Sequence, residues 1–222
     1  MARGRSAGYD DQREAILVQA AALFAQQGYT GTSMNAVAAA CGVSKPALYH
    51  YVRDKQALLV QICLAHIERL QRLVDSVEAE GLAPEPRLRA LILRFVEAYA
   101  DSQNEHRVLT EDEKFLPEAD RERVREGERR VVGAFARALA AVRPGEDFAT
   151  LHKPLTMLLF GMINWMFTWL KPEGTLSHAD MAPVVADLFF GGLQAVRVPR
   201  SAAPPVAVTI SPTSPEIPET TP

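Results

Sequence analysis

Apolar residues recur at steps of three and four along most of the chain, which is the spacing that places them on one face of an α-helix. The first such stripe predicts a helix over residues 11–27, with Asp11 and Glu14 forming a capping box and Gly28 ending the helix. No run alternates apolar and polar residues with the period of a strand. The pattern therefore predicts an all-α fold as far as about residue 197.

The same spacing, together with breaks at glycine and proline, divides the rest of the chain into further helices. A helix starts at the Leu116-Pro117 pair and ends before the turn at Pro144-Gly145, and Pro183 places the start of the last helix near Asp180. The other predicted helices cover 33–41, 44–51, 54–80, 86–101, 155–170 and 180–196. Because residues 155–170 are apolar on nearly every side, that helix is expected in a core or an interface.

Composition narrows the class of protein. The 222 residues are 48% hydrophobic and 23% charged, which supports a folded core and excludes disorder throughout. No run is long and apolar enough to span a membrane, and no signal peptide opens the chain. The two cysteines form no CxxC pair, so neither a disulfide framework nor a zinc cluster is expected. We expect a cytoplasmic protein with a proline-rich, disordered tail over 198–222.

Charge is distributed unevenly along the chain. Residues 1–60 carry six basic and four acidic side chains, a net charge of +2, whereas the remainder carries −5. An acidic body repels phosphate, so any contact with DNA is expected within the first sixty residues. An asymmetry of this size also occurs by chance in many enzymes.

The segment Thr32–Lys55 reads as two short helices joined by a tight turn. Gly42 suits a positive φ in the turn, Ser44 suits an N-cap, and Pro46 falls in the first turn of the second helix. This is a helix-turn-helix, whose second helix can enter a major groove. An ordinary helical hairpin that binds no DNA has the same spacing, and the spacing alone leaves both readings open.

The run GYTGTSMNAVAAACGVSKPALYHYVRDKQALL resembles the N-terminal domain of the TetR family of one-component repressors. The positions that match include Gly28-Tyr29, Thr32, Val37-Ala38, Gly42 to Lys45, Leu48-Tyr49, Tyr51, Lys55 and Leu58-Leu59. Cys41, Tyr51 and Gln56 depart mildly from the residues usual in the family, and none of the three faces DNA.

The resemblance implies a role for each matched residue of the N-terminal DNA-binding domain, residues 1–56, which we call the reading head. Thr32 and Ser33 would cap the second helix and touch phosphate, and Ser44 would cap the third. The side chains that would face base edges are Lys45, Ala47 and His50. Tyr49 and Lys55 would bind phosphate, and Arg3 and Arg5 could reach the DNA as a flexible arm.

The resemblance also implies that the chain has two domains with different functions. Residues 1–56 would form a three-helix DNA-binding domain, and 57–197 a helical effector-binding and dimerisation domain. A homodimer would form through the helices at 155–170 and 180–196 and bind a palindromic DNA operator. Effector binding would shift the fourth helix and move the two reading heads apart.

Aromatic and apolar residues of the C-terminal half suggest a cavity for a small hydrophobic effector. The candidate lining residues are Phe95, Tyr99, Phe135, Met157, Phe160, Asn164, Trp165, Thr168 and Trp169. For any one of them, a place in an ordinary packed core is the alternative. His66, on the apolar stripe of the long helix, is expected to be a core histidine with satisfied hydrogen bonds.

Two C-terminal segments resemble, more loosely, a TetR branch that responds to acyl-CoA thioesters. They run from Glu105 to Val132 and from Gly161 to Leu193. The resemblance implies an acyl group near Asn164 and Trp165. Four arginines, Arg121, Arg125, Arg129 and Arg130, would neutralise CoA phosphates. The alternative is a solvated helix with internal Glu–Arg pairs, because nine acids accompany seven bases between residues 105 and 130.

Motifs for catalysis, metal binding or a resident cofactor are missing from the sequence. It contains no GxGxxG, P-loop, HExxH or GxSxG, and its five histidines match no metal-ligand pattern. We therefore expect no metal, no cofactor and no enzymatic activity. An all-helical enzyme, or a ligand carrier that does not bind DNA, is the alternative function.

Overall fold

The computed structural model describes residues 7–171 and 174–198. The described chain is 81% helical and has no strand in these ranges, which confirms the all-α prediction. The helices are α1 (Ala7–Gln27), α2 (Met34–Ala40), α3 (Lys45–Tyr49), α4 (Lys55–Ala79), α5 (Pro84–Asp101), α6 (Gln103–Asp112), α7 (Glu118–Val142), α8 (Glu146–Asn164), α9 (Met166–Trp169) and α10 (His178–Ala195). A single 3₁₀ turn, Glu113–Phe115, joins α6 to α7.

The long helix α4 connects the two ends of the fold. Its first turns pack with α1, and the rest packs against α5, α6 and α7. Buried apolar side chains such as Leu59, Ile62 and Leu70 form its inner stripe and belong to a continuous core. Helix α4 is therefore in contact with helices of both halves of the fold.

The outer layer of the C-terminal half is built from α8 and α10. Helix α10 lies along α5, and α8 lies along α7. Phe189 and Leu193 of α10 are buried, whereas Leu188, the residue before Phe189, points outward. Phe189 and Leu193 therefore face the core, and Leu188 lies on the solvent side of α10.

Several predicted helix ends were wrong. Helix α1 starts before Asp11, so that residue and Glu14 lie inside the helix and do not cap it. Helix α8 starts at Glu146, well before residue 155, and tolerates Pro154 in its interior. Helix α10 starts two residues before Asp180, because Ser177 and Asp180 form a complete capping box there. That cap holds the helix start even though Pro183 then falls inside the helix.

The predicted N-terminal arm and C-terminal tail lie outside the residues that the structure describes. Arg3, Arg5 and the tail after Val198 are outside the described ranges, so the predicted arm and the predicted disorder stay predictions. Within those ranges, the helices are too short or too polar for any of them to cross a bilayer.

Candidate nucleic-acid interface and effector region

Helix α3 is positioned by a side-chain cap at its N-terminus, by the turn before it and by one buried leucine. The Ser44 side chain accepts a hydrogen bond from the Ala47 backbone N–H at 3.2 Å, and Pro46 occupies the first turn, where its missing N–H costs nothing. Gly42 has a φ of 64°, which lets the chain turn sharply between α2 and α3. Leu48 is fully buried and anchors α3 to the core.

The outer side of α3 carries a group of exposed side chains that the sequence predicted together. Ser44, Lys45, Tyr49 and His50 are exposed, and Ala47 lies half-buried beside them. Ser33 is also exposed and caps α2 by accepting a hydrogen bond from the Ala36 backbone N–H at 3.1 Å. A hydroxyl, an ammonium, a phenol and an imidazole on one short helix offer donors to both phosphates and base edges.

Tyr9 is part of this arrangement, and sequence reasoning missed it. Its ring stacks on Tyr51 with centroids 4.8 Å apart, and its hydroxyl donates to the His50 carbonyl at 3.2 Å. The end of α3 is thus held against the start of α1. The available signal was weak, since a lone tyrosine near a chain start has no characteristic spacing.

Two of the predicted phosphate ligands point inward. Thr32 is buried, and its hydroxyl donates to the Gly28 carbonyl at 3.0 Å and to the Leu23 carbonyl at 3.3 Å. The Lys55 ammonium donates to the carbonyl of Tyr29 at 2.8 Å and of Thr32 at 3.0 Å. The predicted phosphate roles of Thr32 and Lys55 need correction, because both side chains already satisfy backbone carbonyls at the helix junction.

The same junction joins the reading head to the C-terminal half. Tyr29 stacks on Phe115 with ring centroids 5.1 Å apart, and the Lys55 ammonium lies 4.5 Å from the centre of the Tyr29 ring. Burial raises the pKa of Asp112, while the Tyr29 backbone N–H hydrogen-bonds to the carboxylate of Asp112 and opposes part of that rise. The loop after α1 is therefore attached to the end of α6 by both packing and a hydrogen bond.

Four of the nine predicted effector residues meet inside the C-terminal half. Phe95 and Phe135 pack edge to face at 4.7 Å, and Phe135 packs on Phe160 at 4.8 Å. Tyr99 lies 6.0 Å from Phe95 and continues the cluster toward α6. These four residues, which we call the aromatic core, are all buried.

The other five predicted effector residues do not join the aromatic core. Met157, Trp165 and Trp169 are exposed, at 51%, 66% and 50%. Thr168 is exposed as well, and its hydroxyl donates to the Trp165 carbonyl at 2.7 Å. Asn164 is half-buried, with its side-chain oxygen buried and without a hydrogen-bond partner among the described residues. The prediction of a single cavity lined by all nine residues needs correction, because Met157, Trp165 and Trp169 lie on the opposite face of α8 and α9.

That opposite face is a shallow apolar groove across α8, α9 and α10. Leu158 of α8 and Leu188 of α10 are exposed at 65% and 64%, and Trp165 lines the same groove. The groove is lined by Met157, Leu158, Gly161, Met162, Trp165, Met166, Trp169, Met181, Val184, Val185 and Leu188. We call it the outer apolar face. So much exposed hydrophobic surface in one place is typical of an interface.

The arginines of α7 are paired with glutamates. Arg125 contacts Glu113 at 2.8 Å and Arg129 contacts Glu122 at 2.6 Å. Arg121 pairs with Glu118, and Arg130 with Glu126. Three of these ion pairs lie within α7, as the alternative interpretation of this helix expected, and the pair of Arg125 with Glu113 joins α7 to the 3₁₀ turn. In the described part of the chain, no three His, Cys, Asp or Glu side chains converge as metal ligands would.

Comparison with known proteins gives matches to both halves of the chain. Residues 16–62 match the family described as bacterial regulatory proteins, tetR family. Residues 81–193, about half of the chain, match the family described as tetracyclin repressor-like, C-terminal domain.

Solved structures resemble most of the chain. A TetR-family transcriptional regulator from Bordetella parapertussis is 35% identical, with a TM-score of 0.76, over 83% of this chain and 97% of that one. AibR, crystallised in complex with isovaleryl coenzyme A and operator DNA, is 26% identical, with a TM-score of 0.69, over 80% of this chain and 97% of its own.

Several curated relatives match over a shorter stretch. The transcriptional activator FasR of Mycolicibacterium smegmatis is 27% identical over 111 residues, which is 50% of this chain and 51% of FasR. The chain spans about half or less of the length of the curated relatives that it matches first. The family models and the B. parapertussis structure nevertheless cover both the reading head and the C-terminal helices, and this chain is therefore a member of the TetR family of bacterial transcriptional regulators.

Proposed function

We propose that this protein is a ligand-responsive repressor that binds a palindromic operator as a homodimer and is released by a small hydrophobic effector. The observation that carries the proposal is α3, capped at Ser44, which presents Lys45, Tyr49 and His50 to solvent. Family membership supports DNA binding in general. The residues in contact with DNA are Ser33, Ser44, Lys45, Ala47, Tyr49 and His50.

The outer apolar face is the surface on which two copies meet. One recognition helix reads few bases, so a second copy is needed to double the site. Leu158, Trp165 and Leu188 expose apolar area that an isolated chain would leave in water. Residues 57–197 accordingly serve both dimerisation and effector binding, and 1–56 serve DNA binding.

The effector is an acyl-CoA thioester, whose acyl group lies in the aromatic core. The solved structure of AibR with isovaleryl coenzyme A supports this class, because that protein resembles this chain over most of its length. A groove between α7 and α8, lined by Arg125, Arg129 and Lys153, is the place for the CoA phosphates. Lys153 has no ion-pair partner among the described residues, whereas the two arginines must exchange their glutamates for phosphate.

Release of the protein from its operator follows from the contacts that connect the aromatic core to the reading head. Separating the packed rings of α5, α7 and α8 moves α4 and α6, and these two helices contact α1. The junction of Tyr29 with Phe115 and Asp112 passes the movement to the loop after α1. The effector must bind the released state more tightly, by about 1–3 kcal/mol or more, to change occupancy of the operator.

The test uses the full chain with DNA from its own upstream region. The operator is located by footprinting, and affinity is measured by fluorescence anisotropy with and without isovaleryl-CoA, hexanoyl-CoA, palmitoyl-CoA and the matching free acids. We expect a palindromic footprint and weaker binding with at least one thioester. Failure to bind any upstream fragment at low salt would refute the repressor, and release by free acids alone would refute the thioester.

A further inference from the structure

Two histidines of the C-terminal half are buried without a hydrogen-bond partner. His66 on α4 is 3% exposed and His106 on α6 is 4% exposed. None of the four ring nitrogens contacts a donor or acceptor among the described residues. The predicted satisfied core histidine at position 66 was therefore wrong. Such groups are rare in native interiors, because each orphaned polar atom costs roughly 1–3 kcal/mol relative to water.

The two imidazoles lie together, beside the aromatic core. Their ring centroids are 5.6 Å apart, and Tyr99 stacks on His106 at 4.1 Å and lies 6.2 Å from His66. Phe167 closes the far side of His106 with an edge-to-face contact at 5.8 Å. Tyr99 is also part of the aromatic core, so the two polar imidazoles directly adjoin the apolar rings of that core.

Burial keeps both imidazoles neutral at physiological pH. It lowers the pKa of His66 to about 3, helped by His106 and Arg69, and lowers the pKa of His106 to about 4. A neutral imidazole has one N–H donor and one acceptor nitrogen. The pair therefore offers two N–H donors, one from each helix, to a group placed between them. A single oxygen with two lone pairs satisfies both donors.

We propose that His66 and His106 bind the carbonyl oxygen of the effector's acyl group, while its hydrocarbon chain lies among Phe95, Phe135 and Phe160. This inference rests on the proposed function, since it names the polar end of the same effector site. A carbonyl held by both imidazoles ties α4 to α6, which are the two helices that carry the junction to the reading head. The acyl oxygen of a thioester and the carboxyl oxygen of a free acid share this chemistry.

The experiment compares ligands that differ only in the carbonyl oxygen. Isovaleryl-CoA and hexanoyl-CoA are each paired with the S-alkyl thioether of the same chain, and dissociation constants are measured by calorimetry on the full-length protein. We expect wild type to prefer each thioester over its thioether by about tenfold, which is the effect of two neutral hydrogen bonds. The matching free acids form a third arm, which distinguishes carboxylate from thioester recognition.

Variants of the two histidines test whether these residues cause the preference for the thioester over the thioether. In His66→Leu and in His106→Leu we expect the preference to fall to about threefold, because one hydrogen bond remains, and in the double variant we expect the thioester and thioether to bind equally. His106→Gln keeps an N–H donor and should restore part of the preference. The unliganded Leu variants should melt at or above the wild-type temperature, because an orphaned polar group is removed from an apolar interior.

His152→Leu is the matched control elsewhere in the same half. The His152 ring nitrogen hydrogen-bonds to the Arg143 carbonyl at 3.0 Å, so its loss should lower the melting temperature and leave the carbonyl preference intact. Leu variants that retain the tenfold preference would overturn the inference and leave the proposed function standing. A wild type that binds no thioester would overturn both.

Discussion

Lys55 shows how one side chain connects the start of α4 to the loop between α1 and α2. Its ammonium donates to carbonyls at positions 29 and 32 and lies over the Tyr29 ring, so the first turn of α4 is attached to the loop between α1 and α2. Lys55 supplies both of these partly buried carbonyls with a charged donor. Lys55 therefore positions the reading head and is not free to bind phosphate.

Replacing Lys55 with alanine should lower the free energy of unfolding by about 1–3 kcal/mol, because two partly buried carbonyls lose a charged donor. Operator affinity should fall, yet the slope of log affinity against log salt should stay unchanged. A lost phosphate contact would reduce that slope by about 0.9. Urea denaturation and anisotropy titrations at several salt concentrations measure the two quantities.

Lys45→Ala is the control for Lys55→Ala. Lys45 is exposed, so its replacement should leave unfolding within about 0.5 kcal/mol of wild type and act on DNA affinity alone. Unchanged stability of Lys55→Ala together with a smaller salt slope would restore the phosphate role that the sequence suggested.

The buried histidine pair predicts a dependence of stability on pH. His66 and His106 have folded pKa values of about 3 and about 4, against about 6.5 in the unfolded chain. The unfolded state therefore binds more protons between pH 6.5 and pH 4, so stability falls as pH falls through that window. Each histidine contributes a slope of up to about 1.4 kcal/mol per pH unit.

The double variant His66→Leu/His106→Leu isolates this contribution from that of the carboxylates. Between pH 6.5 and pH 4 its free energy of unfolding should fall less steeply than that of wild type, as measured by chemical denaturation at each pH. Parallel curves for the two proteins would show that the imidazoles are not held neutral by burial.

At the level of whole helices, the contact between α4 and α7 depends on a glycine. Gly127 is buried where the two helices pack, and a Cβ added there would overlap the side chain of Ile67. The close approach brings α7 against the helix that connects the two ends of the fold. A glycine in mid-helix otherwise costs stability, so packing is the physical reason for it.

Gly127→Ala should lower the free energy of unfolding by about 1–3 kcal/mol, because α7 must move away from α4 or Ile67 must leave its rotamer. Gly133→Ala in the same helix is the matched variant. There an added Cβ meets only the end of Arg137, at 3.5 Å, so higher helix propensity should raise stability by up to about 1 kcal/mol. Thermal denaturation compares the two, and equal effects would contradict the packing argument.

At the level of the whole molecule, the proposed homodimer depends on the outer apolar face. Leu158 and Leu188 are on different helices and are more exposed than most apolar side chains of this protein. Trp165 lies in the groove between them. A large exposed apolar surface of this kind is typical of an interaction site.

Leu158→Glu and Leu188→Glu should each convert a dimer to monomers, since a charge cannot be buried there without a partner. Operator affinity should fall by about 100-fold or more, because two linked half-site contacts become independent. Sedimentation velocity and anisotropy measure the two effects, and circular dichroism checks that the fold is intact.

Val18→Glu is the control for this surface. Val18 is also exposed, at 46%, but lies on α1, so the variant should remain dimeric. Dimers that persist in both leucine variants would place the interface elsewhere.

Local patterns were sufficient for the helical class, the helix-turn-helix and the cap at Ser44, whereas for α2 they left Thr32 and Ser33 as alternative caps and the structure shows Ser33. These features depend on residues that lie within four positions of one another, and helical spacing and capping follow from backbone hydrogen bonding over that range. The exposed group on α3 was predictable for the same reason, because Leu48 fixes which side of the helix is buried.

Helix rotation and long-range pairing required the tertiary structure. Phe95, Tyr99, Phe135 and Phe160 meet, but Trp165 and Trp169 do not, because the direction of an aromatic side chain depends on what packs against its helix. Lys55 reaches carbonyls more than twenty residues away, and His66 meets His106 across forty positions. Such contacts are set by how the helices pack in three dimensions, and no periodicity along the chain encodes them.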